Sequence, residues 1–197
     1  MPALKMHMTM IDLTLAILVL LITPGPTNTL LFLAGAERGW RRALRLIPAE
    51  LAGYLLMVVP LALLGVAALH DAPRARALVA IAAGLWVAWL AIKLWLPQNA
   101  QSGAHRVSAP LVFTTTMLNP KALIFGLVLL PSPDALGSHL ALFSALVMTV
   151  AAGWAGFGAW LGSVSGSEGV AMLWVRRGAS VWLSVVSLTL LAKGLGA

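Results

Sequence analysis

The chain has 197 residues, of which 60% are hydrophobic and only 10% are charged, and its mean hydropathy is +0.95. Soluble domains carry about 25% charged residues, so this composition excludes an ordinary soluble enzyme or binding module and indicates a helical membrane protein with several spans. The absence of cysteine excludes disulfides, iron–sulfur clusters and thiolate metal sites. The net charge of +7 comes from basic residues dispersed at the ends of apolar segments, which is typical of topology signals and lipid-headgroup anchors rather than of nucleic-acid binding.

Apolar segments of roughly 20 residues occupy nearly the whole chain, which predicts one transmembrane domain over residues 1–197. In chain order the spans are predicted at residues 11–33, 43–69, 75–96, 107–130, 138–161 and 170–195. The last span has an alternative start at residue 178, because Arg176 and Arg177 interrupt it. A hydrophilic connector at residues 97–106 separates two halves, residues 11–96 and 107–196.

The apolar N-terminal stretch is expected to be a retained first span, with a cleaved signal peptide as the alternative. Asp12 interrupts the stretch, and Pro-Gly-Pro follows where the small residues of a cleavage site would stand. Asp12 itself is predicted to be an interfacial or helix-start residue.

The first span contains a polar, proline-broken motif, Thr23-Pro24-Gly25-Pro26-Thr27-Asn28. Proline removes a helical hydrogen bond, so Pro24 and Pro26 are expected to free the carbonyls of Leu20 and Ile22. In hydrocarbon such groups persist only where they are buried in protein or line a cavity. The amide groups that begin the downstream half-helix, near Thr27 and Asn28, are predicted to bind an anionic group. A proline kink that serves only helix packing is the alternative.

The fourth span contains a second motif, Leu118-Asn119-Pro120-Lys121-Ala122. Pro120 is expected to free the carbonyl of Thr116. Lys121 lies about 14 residues into the span, near the bilayer midplane at ~1.5 Å rise per residue. A lysine there costs about 3 kcal/mol or much more, so we predict a substrate or proton site. A structural lysine neutralised by a carboxylate is the alternative.

Glu50, about seven residues into the second span, is the predicted partner of Lys121 and the candidate for proton coupling, with Tyr54 on the same helix face. The alternative places Glu50 near the cytoplasmic headgroups, paired with Arg41 or Arg45.

The two motifs occupy matching positions, each twelve residues into its span when counted from Asp12 to Pro24 and from Val107 to Asn119. Each half holds three spans, so equivalent spans must run in opposite directions. The sequence therefore predicts an all-α fold of six transmembrane helices, arranged as a 3+3 inverted repeat whose broken helices one and four meet at midplane.

The distribution of lysine and arginine predicts the orientation. Loops one, three and five carry eight of these residues and the other side carries four, so both termini are predicted to lie outside the cytoplasm. The eight are Arg38, Arg41, Arg42, Arg45, Lys93, Arg106, Arg176 and Arg177, and the four are Lys5, Arg74, Arg76 and Lys193.

With these motifs the chain resembles the LysE/RhtB family of amino-acid exporters, which carry Pro-Gly-Pro-x-Asn in the first span and Asn-Pro-Lys-Ala in the fourth. The Leu130-Pro131 pair also stands where the family often has Leu-Pro. The resemblance implies a secondary exporter of amino acids or related small metabolites in the bacterial inner membrane, driven by proton antiport. Glu50 follows Pro26 by 24 residues, which resembles the acidic position of the branch that exports basic amino acids. This spacing implies a mild preference for a cationic substrate.

The chain departs from the family in its short, proline-rich turn after span four and in its weak sixth span. Two other functions stay open: an exporter of inorganic or metal cations, and a membrane-embedded enzyme or assembly factor. The lack of cysteine and of intramembrane His or Asp pairs argues against the first, and the only candidate catalytic pair for the second is Glu50 with Lys121.

The expected site is therefore a substrate-binding site without catalytic residues, metal or cofactor. Its predicted residues are Pro24, Gly25, Pro26, Thr27, Asn28, Asn119, Pro120 and Lys121, with Glu50 for proton coupling. The expected partners are an amino-acid substrate, protons and membrane lipid. Gly158 and Gly162 in span five fit the GxxxG pattern of close helix packing, with a homodimer contact as one use of it.

Overall fold

A computed structural model describes residues 9–65, 73–96, 107–132, 135–164 and 169–195, and every regular element within these ranges is helical. The first half contains α1 (Met10–Ile22), α2 (Pro26–Arg38), α3 (Trp40–Ala43), a 3-10 turn (Leu44–Leu46), α4 (Ile47–Pro60), a π-helical segment (Leu61–Gly65) and α5 (Pro73–Trp95). The second half contains α6 (Ala109–Met117), α7 (Pro120–Ile124), a second π-helical segment (Phe125–Leu129), α8 (Leu136–Val164) and α9 (Gly169–Leu195). The predicted all-α class is confirmed.

The helix starts follow from local sequence. Thr9 and Asp12 form a capping box at the start of α1: Thr9 Oγ1 accepts the Asp12 N–H at 3.2 Å, and Asp12 Oδ2 accepts the Thr9 N–H at 3.0 Å. Asp12 is therefore the helix-start residue that the sequence predicts. Pro26 and Pro120 each stand at the first position of a helix, where the missing N–H costs nothing. Both motifs thus end one helix and begin another.

Two described helices, Trp40–Leu63 and Leu136–Val164, are long and apolar enough to cross a membrane. The predicted breaks are confirmed, because α1 and α2 are bent by 62° and α6 is bent by 49° from Pro120–Leu129. If each bent pair is one span, the number of candidate spans rises to four. The apolar parts of α5 and α9 are shorter, Ile81–Trp95 and Arg177–Ala192.

The last helix begins close to the first of its two predicted starts. α9 begins at Gly169 and continues through Arg176 and Arg177 without interruption, while its apolar part, Arg177–Ala192, begins near the alternative start at residue 178. The Arg177 guanidinium lies beside two tryptophan rings, and this contact explains how the helix carries a charge so close to its apolar part.

Several predictions fall outside the described residues: the connector at 97–106, the end of span two at 66–69, Lys5 and Arg106. The described side chains also do not include those of Arg74, Arg76, Arg176 and Lys193. The orientation of the protein in the membrane therefore stays a prediction.

Close helix packing depends on glycines that face backbone carbonyls across the interface between α2 and α8. A Cβ on Gly35 would collide with the Ala155 carbonyl, and one on Gly158 would collide with the Phe32 carbonyl. Gly162 faces Ala36 of α2 in the same way. The GxxxG pair therefore packs within the chain, and this face of α8 is not open to the homodimer contact considered from the sequence.

The remaining helices form two further close pairs, α4 with α6 and α5 with α9. In the first, Gly53 lets α4 approach α6, since a Cβ there would lie 2.8 Å from the Phe113 carbonyl oxygen. In the second, serines bind across the interface: Ser180 Oγ donates to the Ala91 carbonyl at 2.6 Å and Ser187 Oγ to the Gly84 carbonyl at 2.9 Å.

Two apolar clusters take up successive parts of the same spans. Along each of these spans, polar residues separate the segment in one cluster from the segment in the other. One cluster combines α2, the start of α4, α6 and the second half of α8, and its buried members include Leu31, Ala34, Leu46, Val112, Ala151 and Ala155. The other combines α1, the rest of α4, α7 with its π segment and the first half of α8, and its buried members include Ile17, Leu21, Tyr54, Val58, Phe125, Phe143 and Val147. This order places the polar segments of both motifs in a layer between two apolar layers.

We expect Gly158→Ala to lower the free energy of unfolding by about 1–3 kcal/mol, because the added methyl group must push α8 away from α2. Gly153→Ala on the same helix is the matched control, since a Cβ there meets no atom within 4 Å. Thermal unfolding of the purified protein in detergent measures both variants. Equal stability of the two variants would contradict the assigned packing.

Candidate functional site

The two helix breaks contact each other through buried side chains. Asn119 Nδ2 donates hydrogen bonds to Thr27 Oγ1 at 3.3 Å and to Tyr54 OH at 3.2 Å. The hydroxyls of Thr27 and Thr116 are also hydrogen-bonded, at 3.2 Å. All four side chains are buried, and together they join α2, α4, α6 and the start of α7. The expectation that the two breaks meet is confirmed as a contact between them.

Side chains from both motifs donate hydrogen bonds to the carbonyls at the end of α1. Asn28 Nδ2 donates to the Leu21 carbonyl at 2.7 Å and to the Thr23 carbonyl at 3.2 Å. Lys121 Nζ donates to the same Thr23 carbonyl from the other half of the chain. The lysine cation therefore lies at the negative end of the α1 dipole, where a positive charge is stabilised.

The carbonyls that side chains bind differ from those that the sequence named as freed. The sequence named the carbonyls of Leu20 and Ile22, whereas the side-chain hydrogen bonds within the described residues go to those of Leu21 and Thr23. The chain leaves the helix at Thr23, with ψ at 125°, so the end of α1 is not a helix that continues through the prolines. The Thr116 carbonyl, which was also expected to be free, accepts the Asn119 N–H at 3.1 Å.

Gly25 provides the space that Lys121 occupies. A Cβ on Gly25 would lie 3.3 Å from both Cε and Nζ of the lysine, so any side chain there would press against it. Gly25 also caps α2, and no side chain caps the first turn of that helix. The amides of Thr27 and Asn28 therefore stand at an uncapped, positive helix end beside the lysine.

Glu50 brings a carboxylate to the same layer. It is 2% exposed, and its Oε2 has no hydrogen-bond partner among the described residues. Lys121 is a charged residue close enough to act on it electrostatically. Arg41 and Arg45 are exposed, so the headgroup pairing considered from the sequence is not formed. A buried carboxylate oxygen without a partner is costly, and its charge must be compensated by a cation or by a proton.

Aromatic rings cover the polar layer on one side. Tyr54, which binds Asn119, also makes edge contacts with Phe125 at 5.8 Å and with Phe143 at 5.6 Å between ring centroids. The two phenylalanine rings lie 4.8 Å apart. The buried side chains of Thr27, Tyr54 and Asn119 are thus enclosed in this conformation. Thr23 and the contact that Lys121 makes with it lie exposed.

Sequence reasoning missed one member of the site. Trp86 on α5 donates from Nε1 to Thr115 Oγ1 at 3.1 Å, beside the threonine that binds Thr27. The sequence indicated Trp86 only as a tryptophan in the middle of span three, because that span carries no motif. The hydrogen bond connects the third span to the second motif.

The predicted site residues therefore divide by role. Pro24, Pro26 and Pro120 shape the breaks. Asn28, Asn119 and Lys121 make the polar contacts. Thr27 accepts from Asn119, and Glu50 interacts electrostatically with Lys121. No group of three or more His, Cys, Asp or Glu side chains in the described ranges is placed to hold a metal ion. Two apolar grooves of ≈ 410 and ≈ 320 Å³ lie elsewhere, between α1 and α8 and between α5 and α9.

Comparisons of the chain with family models, with curated proteins and with solved structures gave no match.

Replacing Asn28 by alanine should destabilise the protein by about 1–3 kcal/mol, because two carbonyls at the end of α1 lose a buried partner. Thr14→Ala removes a hydroxyl that binds the Met10 carbonyl on the exposed side of α1, and it should change stability by less than about 0.5 kcal/mol. Chemical or thermal unfolding in detergent compares the two. An Asn28→Ala variant as stable as Thr14→Ala would show that the α1 end does not depend on this side chain.

Proposed function

We propose that the protein is a secondary active exporter of amino acids or closely related small metabolites across the bacterial inner membrane, working by proton antiport. The observation that carries the proposal is the contact between two helix breaks, where Lys121 binds the Thr23 carbonyl close to the buried Glu50. Ionisable groups inside membrane segments are expensive and mark transport or proton pathways by default. Secondary transporters build their substrate sites from broken helices of this kind. The motifs shared with the LysE/RhtB exporters support the same class.

The proposed architecture is six transmembrane helices in a 3+3 inverted repeat with both termini outside the cytoplasm. At the level of whole spans, helix pairing supports the repeat: exchanging span one with four, two with five and three with six turns the contact of spans one and five into that of spans four and two. The half-helices in closest contact differ, because span one uses its second half, α2, and span four its first half, α6. The exchange also turns the α5–α9 pair into itself. Both second half-helices also begin with a proline, at Pro26 and Pro120.

In this proposal the substrate's ammonium group takes the position that Lys121 Nζ now occupies at the Thr23 carbonyl. Lys121 then turns to the substrate carboxylate, which the uncapped amides at the start of α2 also attract. Asn119 and Thr27 add polar contacts on the other side of the site. The lysine thus acts as an internal substitute for the substrate cation when the site is empty.

Glu50 is the proposed proton carrier. A proton bound to this carboxylate neutralises its buried charge, and a cationic substrate beside it compensates the same charge. The proton and the substrate therefore compete for the Glu50 carboxylate. Competition of this kind is what antiport requires. It also favours a basic amino acid over a neutral one. Release needs the aromatic cover formed by Tyr54, Phe125 and Phe143 to open as the two halves rock.

The proposal is tested by uptake of a radiolabelled amino-acid panel into inverted membrane vesicles, with and without an imposed proton gradient. Gradient-dependent uptake of one or a few amino acids supports the exporter, and basic amino acids should lead. Uptake of metal cations instead, from folded protein and in the absence of amino-acid transport, would move the assignment to inorganic cations.

Glu50→Gln should abolish gradient-driven transport while the protein stays folded, because the isosteric amide cannot exchange a proton and Oε2 has no partner to lose. Asp12→Asn is the control carboxylate variant, since Asp12 caps α1 at the exposed end. Initial uptake rates against pH measure both. Transport by Glu50→Gln that keeps its dependence on the gradient would remove Glu50 from proton coupling.

Lys121→Gln should lower kcat/KM at least about tenfold, because the variant loses a charge-assisted contact to the substrate carboxylate. Lys93→Gln, whose ammonium lies over the Trp89 ring on α5, should transport normally. Equal kinetics for these two variants would contradict a substrate role for Lys121.

A further inference from the structure

A second cation is held by aromatic rings away from the two motifs. The Arg177 guanidinium lies 5.5 Å from the centre of the Trp95 ring on α5 and 5.7 Å from that of Trp174, one turn earlier on α9. Its Nε is buried and has no hydrogen-bond partner among the described residues. Arginine presents a planar fork of donors that matches phosphate oxygens. The rings therefore fix the position of the guanidinium charge.

An apolar groove begins at the same tryptophan. Trp95 lines a groove of ≈ 320 Å³ between α5 and α9, together with Ile92, Val181, Ser184 and Leu188 among others. From Arg177 to Leu188 the helix advances eleven residues, or about 16 Å at 1.5 Å per residue. One leaflet of a ~30 Å hydrocarbon core has about this depth. On α9 the groove itself begins at Ser180, about one turn beyond Arg177, so an acyl chain that lies in it and ends near the guanidinium has about this length.

The end of the bundle that carries Arg177 is also its basic end. Leu94 and Ala179, close to Trp95 and Arg177, pack against the apolar cluster that contains Ala43 and Leu46. Exposed arginines at positions 41, 42 and 45 flank those two residues. A basic surface of this kind attracts anionic headgroups at roughly 1 kcal/mol per side chain.

We propose that α5 and α9 form a binding site for one anionic phospholipid, with its phosphate on Arg177 and an acyl chain in the groove that begins at Trp95. The charge of the guanidinium selects the phosphate, and the apolar groove selects the chain. The site does not depend on which substrate the protein transports.

Native mass spectrometry of the full chain in detergent tests the site by titration with phosphatidylglycerol, with phosphatidylcholine and with free glycerol phosphate. We expect one phosphatidylglycerol per chain, and weaker binding of the other two compounds. Arg177→Gln should weaken phosphatidylglycerol binding at least about fivefold, and clearly more than the control Arg45→Gln, which removes one general surface charge of the same end. Ser184→Phe on the exposed face of α9 should fill the groove. It should weaken the binding of phosphatidylglycerol and leave the binding of glycerol phosphate unchanged.

Four outcomes would overturn the proposal. Equal affinity for phosphatidylcholine would remove the role of charge, and equal affinity for glycerol phosphate would make this a phosphate site without a lipid chain. A chain-to-chain dimer that persists without lipid and is dissociated by Ser184→Phe would assign the groove to a second copy of the protein. A folded Arg177→Gln variant with unchanged phosphatidylglycerol binding would also contradict the assignment.

Discussion

The structure depends on one constraint: backbone carbonyls and amides inside an apolar bundle must have partners, and each helix break exposes several of them. The chain meets this constraint by placing its two breaks against each other. Asn28 and Lys121 bind the carbonyl end of α1, and Asn119 caps α7 while binding Thr27 and Tyr54. Neither break could be stable in isolation. The same side chains that satisfy the backbone also form the candidate site, so structure and proposed function use one set of contacts.

Small residues make this arrangement possible. Carbonyl-facing glycines bring α2 against α8 and α4 against α6, which holds the ends of the broken helices at contact distance. Gly25 then leaves room for the lysine to reach across. Tight packing without large side chains is the usual basis of helix association in a membrane, where lipid is as apolar as leucine. Helix packing and polar contacts therefore support each other.

The charges are arranged at two levels of the bundle. Glu50 and Lys121 interact in the buried polar layer between two apolar clusters, whereas most of the described arginines lie exposed at one end. Arg177 is intermediate, since tryptophan rings stabilise it near the end of α5. Desolvation separates the two levels: a charge in the inner layer needs a partner or a proton, and a charge at the end needs only water, rings or headgroups.

The sequence by itself determined the all-helical class, the apolar segments long enough to cross a membrane and the positions of both breaks, because apolar length and proline chemistry are local properties. Asp12 as a helix start was equally local. Tertiary structure alone decided which groups become partners. The carbonyls at the end of α1 are bound by Asn28 from five to seven residues away and by Lys121 from 98 residues away, and Trp86 joins from a span without any motif. It also assigned Gly158 and Gly162 to packing within the chain. Contacts between distant segments depend on how helices pack, and no short-range pattern in a single sequence encodes that.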